Sequence, residues 1–129
     1  LQNYLEKKYL SMIQGNTDSE YLFFLILQMY KKYNNLEQSI KKAFLFIKET
    51  GTIALLNILL AKLESGNKKS VYATKFAIKS TAPSLYYNYE HNMGYYISSE
   101  KLNNNNWLKV KNNHCLEIKN NNLKINKIF

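Results

Sequence analysis

Arginine is absent from these 129 residues, and all 18 basic side chains are lysine. The planar guanidinium fork is what grips phosphate and guanine bidentately, so its absence argues against a dedicated nucleic-acid reader despite the formal charge of +9. Affinity gained by counterion release needs clustered cations, and these lysines run along the sequence mostly as singles and pairs. The expectation is a solvated lysine-rich surface with no specific nucleic-acid partner. The abundance of Lys, Asn, Ile and Tyr fits a coding bias toward adenine and thymine equally well.

Cysteine is nearly as scarce. Cys115 stands alone, which excludes an internal disulfide and makes the reducing cytoplasm the expected compartment. Long apolar runs are also missing: Tyr21 to Tyr30 and Ile53 to Ala61 both fall well short of the roughly 20 residues that span a bilayer. A soluble protein with no membrane partner is expected. The opening stretch mixes Glu6, Lys7 and Lys8 with apolar residues and does not read as a secretory signal. Because it starts at Leu1, the sequence is expected to begin inside a longer gene product.

Metal-ligand spacing is lacking as well. His91 and His114 stand far apart without a Cys, His or carboxylate partner nearby, so neither a metal nor another cofactor is expected. Glu90 beside His91 does not make an acid–base pair, because neighbouring side chains of an extended segment leave opposite faces. No glycine-rich phosphate loop or Gly-x-Ser-x-Gly elbow occurs. The tyrosines and Trp107, interleaved with lysine, could form a stacking platform for single strands. Aromatics also favour half-buried pleated surfaces, and that packing role is the preferred reading.

What is present is a clear alternation of signals. Thr17 and Glu20 have the spacing of a capping box, in which the hydroxyl caps a helix-start amide while the carboxylate reaches back. The helix that follows, Tyr21 to Tyr33, is apolar on nearly every side, the pattern of a helix buried between layers. Asn35 followed by Gln38 opens a second helix, amphipathic through Leu36, Ile40, Ala43, Phe44 and Ile47, which Gly51 can end in a left-handed conformation. Thr52 to Leu63 suits a strand, joined through the turn signal Ser65-Gly66-Asn67 to an alternating strand Val71 to Ile78. After Pro83 come strands at Tyr86 to Tyr89 and Tyr95 to Ser98, and an asparagine loop at 103–106. Cys115 to Lys119 and Leu123 to Ile128 then flank a turn at Asn120 to Asn122. Helices followed by antiparallel strands predict an α+β layered fold.

Asp18 is the only aspartate, and it falls in the first turn of the first helix. One role for it is stabilisation of the helix dipole, worth about 0.3 to 1 kcal/mol. The other is to accept hydrogen bonds from a ligand ammonium, for which a carboxylate on a rigid helix start is well placed.

The segment Gly15-Asn16-Thr17-Asp18-Ser19-Glu20-Tyr21-Leu22-Phe23 resembles the Gly-x-Thr-Asp-Ser-Glu segment of class II glutamine amidotransferases, particularly the small stand-alone members and the related amidohydrolase of ergothioneine synthesis. The resemblance implies that Asp18 binds the α-amino group of glutamine. It continues in order through Leu56-Asn57, Ala73-Thr74-Lys75, Leu85-Tyr86-Tyr87, Ile97-Ser98-Ser99-Glu100-Lys101-Leu102 and Trp107. The family usually has arginine where Lys75 stands and alanine where Ser98 stands.

That resemblance implies an N-terminal-nucleophile hydrolase fold of four layers, αββα, with two antiparallel sheets between helices. It also implies attack of an N-terminal cysteine thiolate on the glutamine amide, through a thioester. The sequence departs from the pattern there: no cysteine lies near Leu1 and no Asn-Gly pair precedes Asp18, while Cys115 reads as a small buried hydrophobe. The expectation is therefore a single partial domain over 1–129. It would be the later half of the fold, without the N-terminal catalytic segment and with no catalytic residue of its own. Its parent would hydrolyse the side-chain amide of glutamine or a γ-glutamyl compound, with or without passing ammonia to an acceptor. The alternative is a non-catalytic binding or regulatory module of the same fold.

Overall fold

The computed structural model describes residues 1–64, 66 and 68–129. The protein is α+β and divides into two compact units, Leu1–Thr52 and Ile53–Phe129.

The first unit is helical. A 3-10 turn (Gln2–Tyr4) and a short helix α1 (Lys7–Leu10) precede α2 (Asp18–Tyr33) and α3 (Leu36–Glu49). Local capping sets the ends of the long helices. Thr17 Oγ1 accepts from the Glu20 N–H at 3.3 Å, and Asn35 Oδ1 accepts from the Gln38 N–H at 2.9 Å. Between them Asn34 takes a left-handed conformation, φ 48°, that turns the backbone out of α2. Ile40, Ala43, Phe44 and Ile47 form the buried stripe of α3, and the outward Glu37–Lys41 pair closes at 2.8 Å one turn apart.

On α2, Leu22, Phe24, Leu25 and Ile26 are buried, whereas Phe23 is 48% exposed. The expectation of a helix covered on nearly every side therefore needs correction at Phe23. Residues that are neighbours in sequence sit about 100° apart around a helix, so a continuous apolar run cannot all face one core.

The second unit is built from antiparallel strands: β1 (Ala54–Leu55), β2 (Leu59–Leu63), β3 (Lys69–Lys75), β4 (Ala77–Ile78), β5 (Tyr86–Glu90), β6 (Gly94–Ser98), β7 (Leu108–Lys109), β8 (His114–Lys119) and β9 (Asn122–Lys127). They pair as β1-β4, as β2-β3-β8-β9 and as β6-β5-β7. The strand expected over Thr52 to Leu63 is present but interrupted, and so is its partner. Both halves keep one register, and backbone bonds from Leu56 N–H to Phe76 O (2.8 Å) and Thr74 N–H to Ile58 O (3.0 Å) carry it across the break.

The break has a cause that lies in the partner strand. The fully buried Thr74 hydroxyl donates to Leu56 O at 2.6 Å and accepts from Ile58 N–H at 3.3 Å, taking up backbone groups of the opposing segment. At the far end of this hairpin Gly66 has φ +76°, a left-handed conformation open to glycine without steric cost. Ser65 and Asn67 of the expected turn lie outside the described residues. The turn between β8 and β9 places both Asn120 and Asn121 at positive φ, 50° and 58°, the geometry of a two-residue hairpin turn matched to strand twist.

Ala73, Leu85, Val110 and Leu116 form one buried cluster of this unit, with Tyr87, Ile97 and Leu123 against it. Tyr72 on β3 stands opposite Glu117 on β8 and donates to its carboxylate at 2.8 Å. Burial, followed by that bond to Glu117, pushes the Tyr72 phenol up to about 12.

Candidate functional site

Asp18 is the first residue of α2, with Thr17 as the cap before it. Its carboxylate is exposed and, among the described residues, holds no hydrogen-bond or ion-pair partner. It opens into a cleft of about 350 Å³ shared with Leu1, Gln2, Asn3, Tyr4, Asn16 and Tyr21. Apart from Leu1, the lining is amide, phenol and carboxylate, with no lysine. Gln2 Nε2 donates to the Tyr21 hydroxyl, which ties the 3-10 turn to α2 across the cleft. Asp18 brings the one carboxylate of this lining, a group that can receive the ammonium of a small polar ligand.

The capping box takes a form that its spacing does not reveal. Glu20 does not return its carboxylate to the cap residue; it reaches further, accepting from Gln14 N–H at 2.9 Å and Gly15 N–H at 2.8 Å. These two bonds shape the loop that leads into Asn16 and Asp18. Gly15, whose backbone is not left-handed, leaves room for the Glu20 carboxylate, the end of a flexible side chain. A Cβ there would lie 2.8 Å from Glu20 Oε2, closer than side chains approach. Gly15→Ala is expected to cost about 1 kcal/mol, the value of a displaced hydrogen bond, in urea denaturation. In a Glu20→Ala background the same change should be nearly neutral, and an undiminished cost there would refute the contact as the reason for glycine.

The later motifs come together in the second unit. Leu56-Asn57 sits at the break between β1 and β2, where Thr74 bonds Leu56 and Asn57 Nδ2 donates to Pro83 O at 3.0 Å. Leu85 O in turn accepts from Val110 N–H at 2.9 Å. Lys75, at the end of β3, is only 4% exposed and donates to Val110 O at 3.2 Å. Burial, and then the nearby Lys109, hold its ammonium below the ordinary lysine range. Trp107 bonds Asn103 Oδ1 at 2.8 Å and folds the asparagine loop onto itself.

Cys115 is 1% exposed on β8, its sulfur 3.6 Å from Leu116 O. His114 Nδ1 lies 2.8 Å from Asn112 O, and His91 is exposed in the turn after β5. Among the described residues no three of His, Cys, Asp and Glu converge as a metal-binding group. No described helix is long and apolar enough to cross a membrane.

The role of Glu20 and the contributions of Gln2, Tyr4 and Tyr21 were missed by sequence reasoning. Glu20 carried a signal in the Thr-Asp-Ser-Glu run, but how far its side chain reaches depends on the path of the preceding loop. The residues of the 3-10 turn carried none.

No family model and no curated protein sequence matches this protein. Among solved structures it is similar to a glutamine aminotransferase class-II domain protein from Silicibacter pomeroyi, with a TM-score of 0.76 and 22% identity. The match covers 98% of this chain and 58% of that one, so the two share a fold and this one spans little more than half the length of the other.

Proposed function

We propose that this chain is the later part of a class II glutamine amidotransferase or amidohydrolase domain, and that Asp18 receives the α-ammonium of glutamine or of a γ-glutamyl compound. The observation that carries the reading is the exposed Asp18 carboxylate, unpartnered among the described residues, at a capped helix start inside a polar cleft. The shared fold and the Gly-x-Thr-Asp-Ser-Glu segment support it.

The chemistry follows from charge. The start of α2 carries the positive end of a helix dipole, which by itself repels an ammonium. Only a full negative charge at that point makes the cleft attractive to one. Asp18 supplies it, while the Glu20 carboxylate is engaged by the loop N–H groups. The amides of Asn3 and Asn16 line the cleft toward the polar groups of the ligand, while the Gln2 amide is held by Tyr21. Cleaving the terminal amide of the substrate needs a nucleophile, and Cys115 is too buried to serve. That step is assigned to residues beyond these 129, in a soluble cytoplasmic enzyme.

The 129-residue protein should accordingly bind L-glutamine weakly through Asp18 and release no ammonia from it. In an amide NMR titration, signals from Asn16 to Tyr21 should move with L-glutamine and stay still with the analogue lacking the α-amino group. Equal shifts with both ligands would remove Asp18 from the substrate site. Ammonia release abolished by Cys115→Ala would overturn the placement of the nucleophile elsewhere.

A further inference from the structure

Within Ile53–Phe129 a second cleft, about 530 Å³, is lined by Lys75, Lys109 and Lys111 together with Thr81, Ser84 and Asn112, and by no carboxylate. The volume lies in the range of about 300 to 1,000 Å³ typical of small-molecule sites.

The three lysines are brought together by the end of β3 and by β7 with the residues that follow it. Lys109 and Lys111 are two apart on an extended segment, so their side chains leave the same face while Val110 between them turns into the core. The segment is fastened to its neighbours on both sides. Val110 N–H donates to Leu85 O at 2.9 Å, and Asn113 N–H donates to Lys75 O at 2.7 Å. Lys75 Nζ reaches Val110 O from β3. The backbone positions of the three lysines are therefore fixed relative to one another, and the Lys75 ammonium is held in place. The opposite wall is fixed as well, because Asn57 Nδ2 donates to Pro83 O and, at 3.4 Å, to Ser84 O.

Lys75 is what separates this cluster from a lysine-rich surface. Lys109 and Lys111 are exposed and need no explanation beyond solvation, but Lys75 is nearly inaccessible. Its ammonium has three protons to donate, and one backbone carbonyl takes one of them. Burying a charge is costly unless it is paired, and like charges nearby add to that cost. An anion in the cleft relieves both.

The geometry points to this cleft as a binding site for the oxyanion group of a small molecule, a phosphate or a carboxylate. Lys75 is the buried contact, Lys109 and Lys111 lie at the rim, and the Thr81 and Ser84 hydroxyls act as neutral donors. This site does not depend on the role of Asp18, and its test does not involve glutamine.

The experiment is an amide NMR titration of the 129-residue protein with inorganic phosphate and, in a parallel arm, succinate, at an ionic strength held constant with chloride. Saturable shifts are expected at Thr81, Ser84 and Lys109 to Asn112. Saturation by phosphate assigns a phosphoryl group and saturation by succinate a carboxylate, either of which supports the site. Lys109→Ala/Lys111→Ala should weaken binding by about tenfold or more, and Lys75→Met should abolish it. If Lys75→Met does not fold, the double alanine variant still decides, because both of its side chains are exposed. Shifts that do not saturate, that arise elsewhere, or that are unchanged in the double variant overturn the proposal.

Discussion

Asp18→Asn is expected to lower the catalytic efficiency toward glutamine by about 10- to 100-fold, with the melting temperature nearly unchanged, in an enzyme that joins these residues to their nucleophile. A hydrogen bond to a charged group is worth about 1.5 to 3 kcal/mol, which corresponds to that range in binding. The competing role, interaction with the helix dipole, is worth at most about 1 kcal/mol and acts on folding. Asparagine disturbs little of the fold. The cap of α2 is Thr17, and the Asp18 carboxylate makes no internal bond among the described residues that the amide would lose.

What asparagine removes is the charge that offsets the positive helix end, leaving the cleft unfavourable to an ammonium. An analogue without the α-amino group should lose its disadvantage against glutamine in the variant. If Asp18→Asn melts several degrees lower and turns over glutamine at the original efficiency, Asp18 is a structural residue and the substrate assignment fails.

The largest effect on stability is expected from Phe44→Ala. Phe44 is fully buried on α3, and emptying such a site costs about 3 to 5 kcal/mol through lost transfer energy and the cavity left behind. Whole domains are stable by only about 5 to 15 kcal/mol, so urea denaturation followed by far-ultraviolet circular dichroism should show a midpoint shifted far toward low urea. Phe23→Ala removes the same atoms from a ring that is 48% exposed, and it should cost much less. Equal costs at the two positions would mean that exposure does not distinguish the two rings and that the α2 face bearing Phe23 is covered. Should Phe44→Ala fail to fold, Phe44→Leu keeps most of the volume and preserves the comparison.

The parts of the fold legible in the sequence are those set by neighbours a few residues apart. Thr17 and Asn35 mark the helix starts because each caps an amide three residues on. Asn120 to Asn122 mark the last hairpin because asparagine tolerates positive φ. The strands expected at Tyr86 to Tyr89 and Tyr95 to Ser98 are present as β5 and β6, each one residue longer at the turn between them. The break in the strand after Thr52 was not legible, since the hydroxyl responsible belongs to Thr74 on the facing strand. Nor was β7, too short for its period to register.

Local contacts and periodicity were enough to set the α+β order, the starts of the two long helices and the position of the only aspartate at a helix start, and all three can be read from the residues alone, whereas the 3-10 turn and α1 could not. Three further features required the folded molecule: Glu20 holding the loop before Asp18, Phe23 staying exposed, and Lys75 meeting Lys109 and Lys111 in one cleft. For the cleft the reason is strand register. Side chains alternate faces along a strand, so a slip of one residue would send Lys75 or Lys109 to the other side. Which register forms depends on the packing of Ala73, Leu85, Val110 and Leu116, which come from segments remote in the sequence.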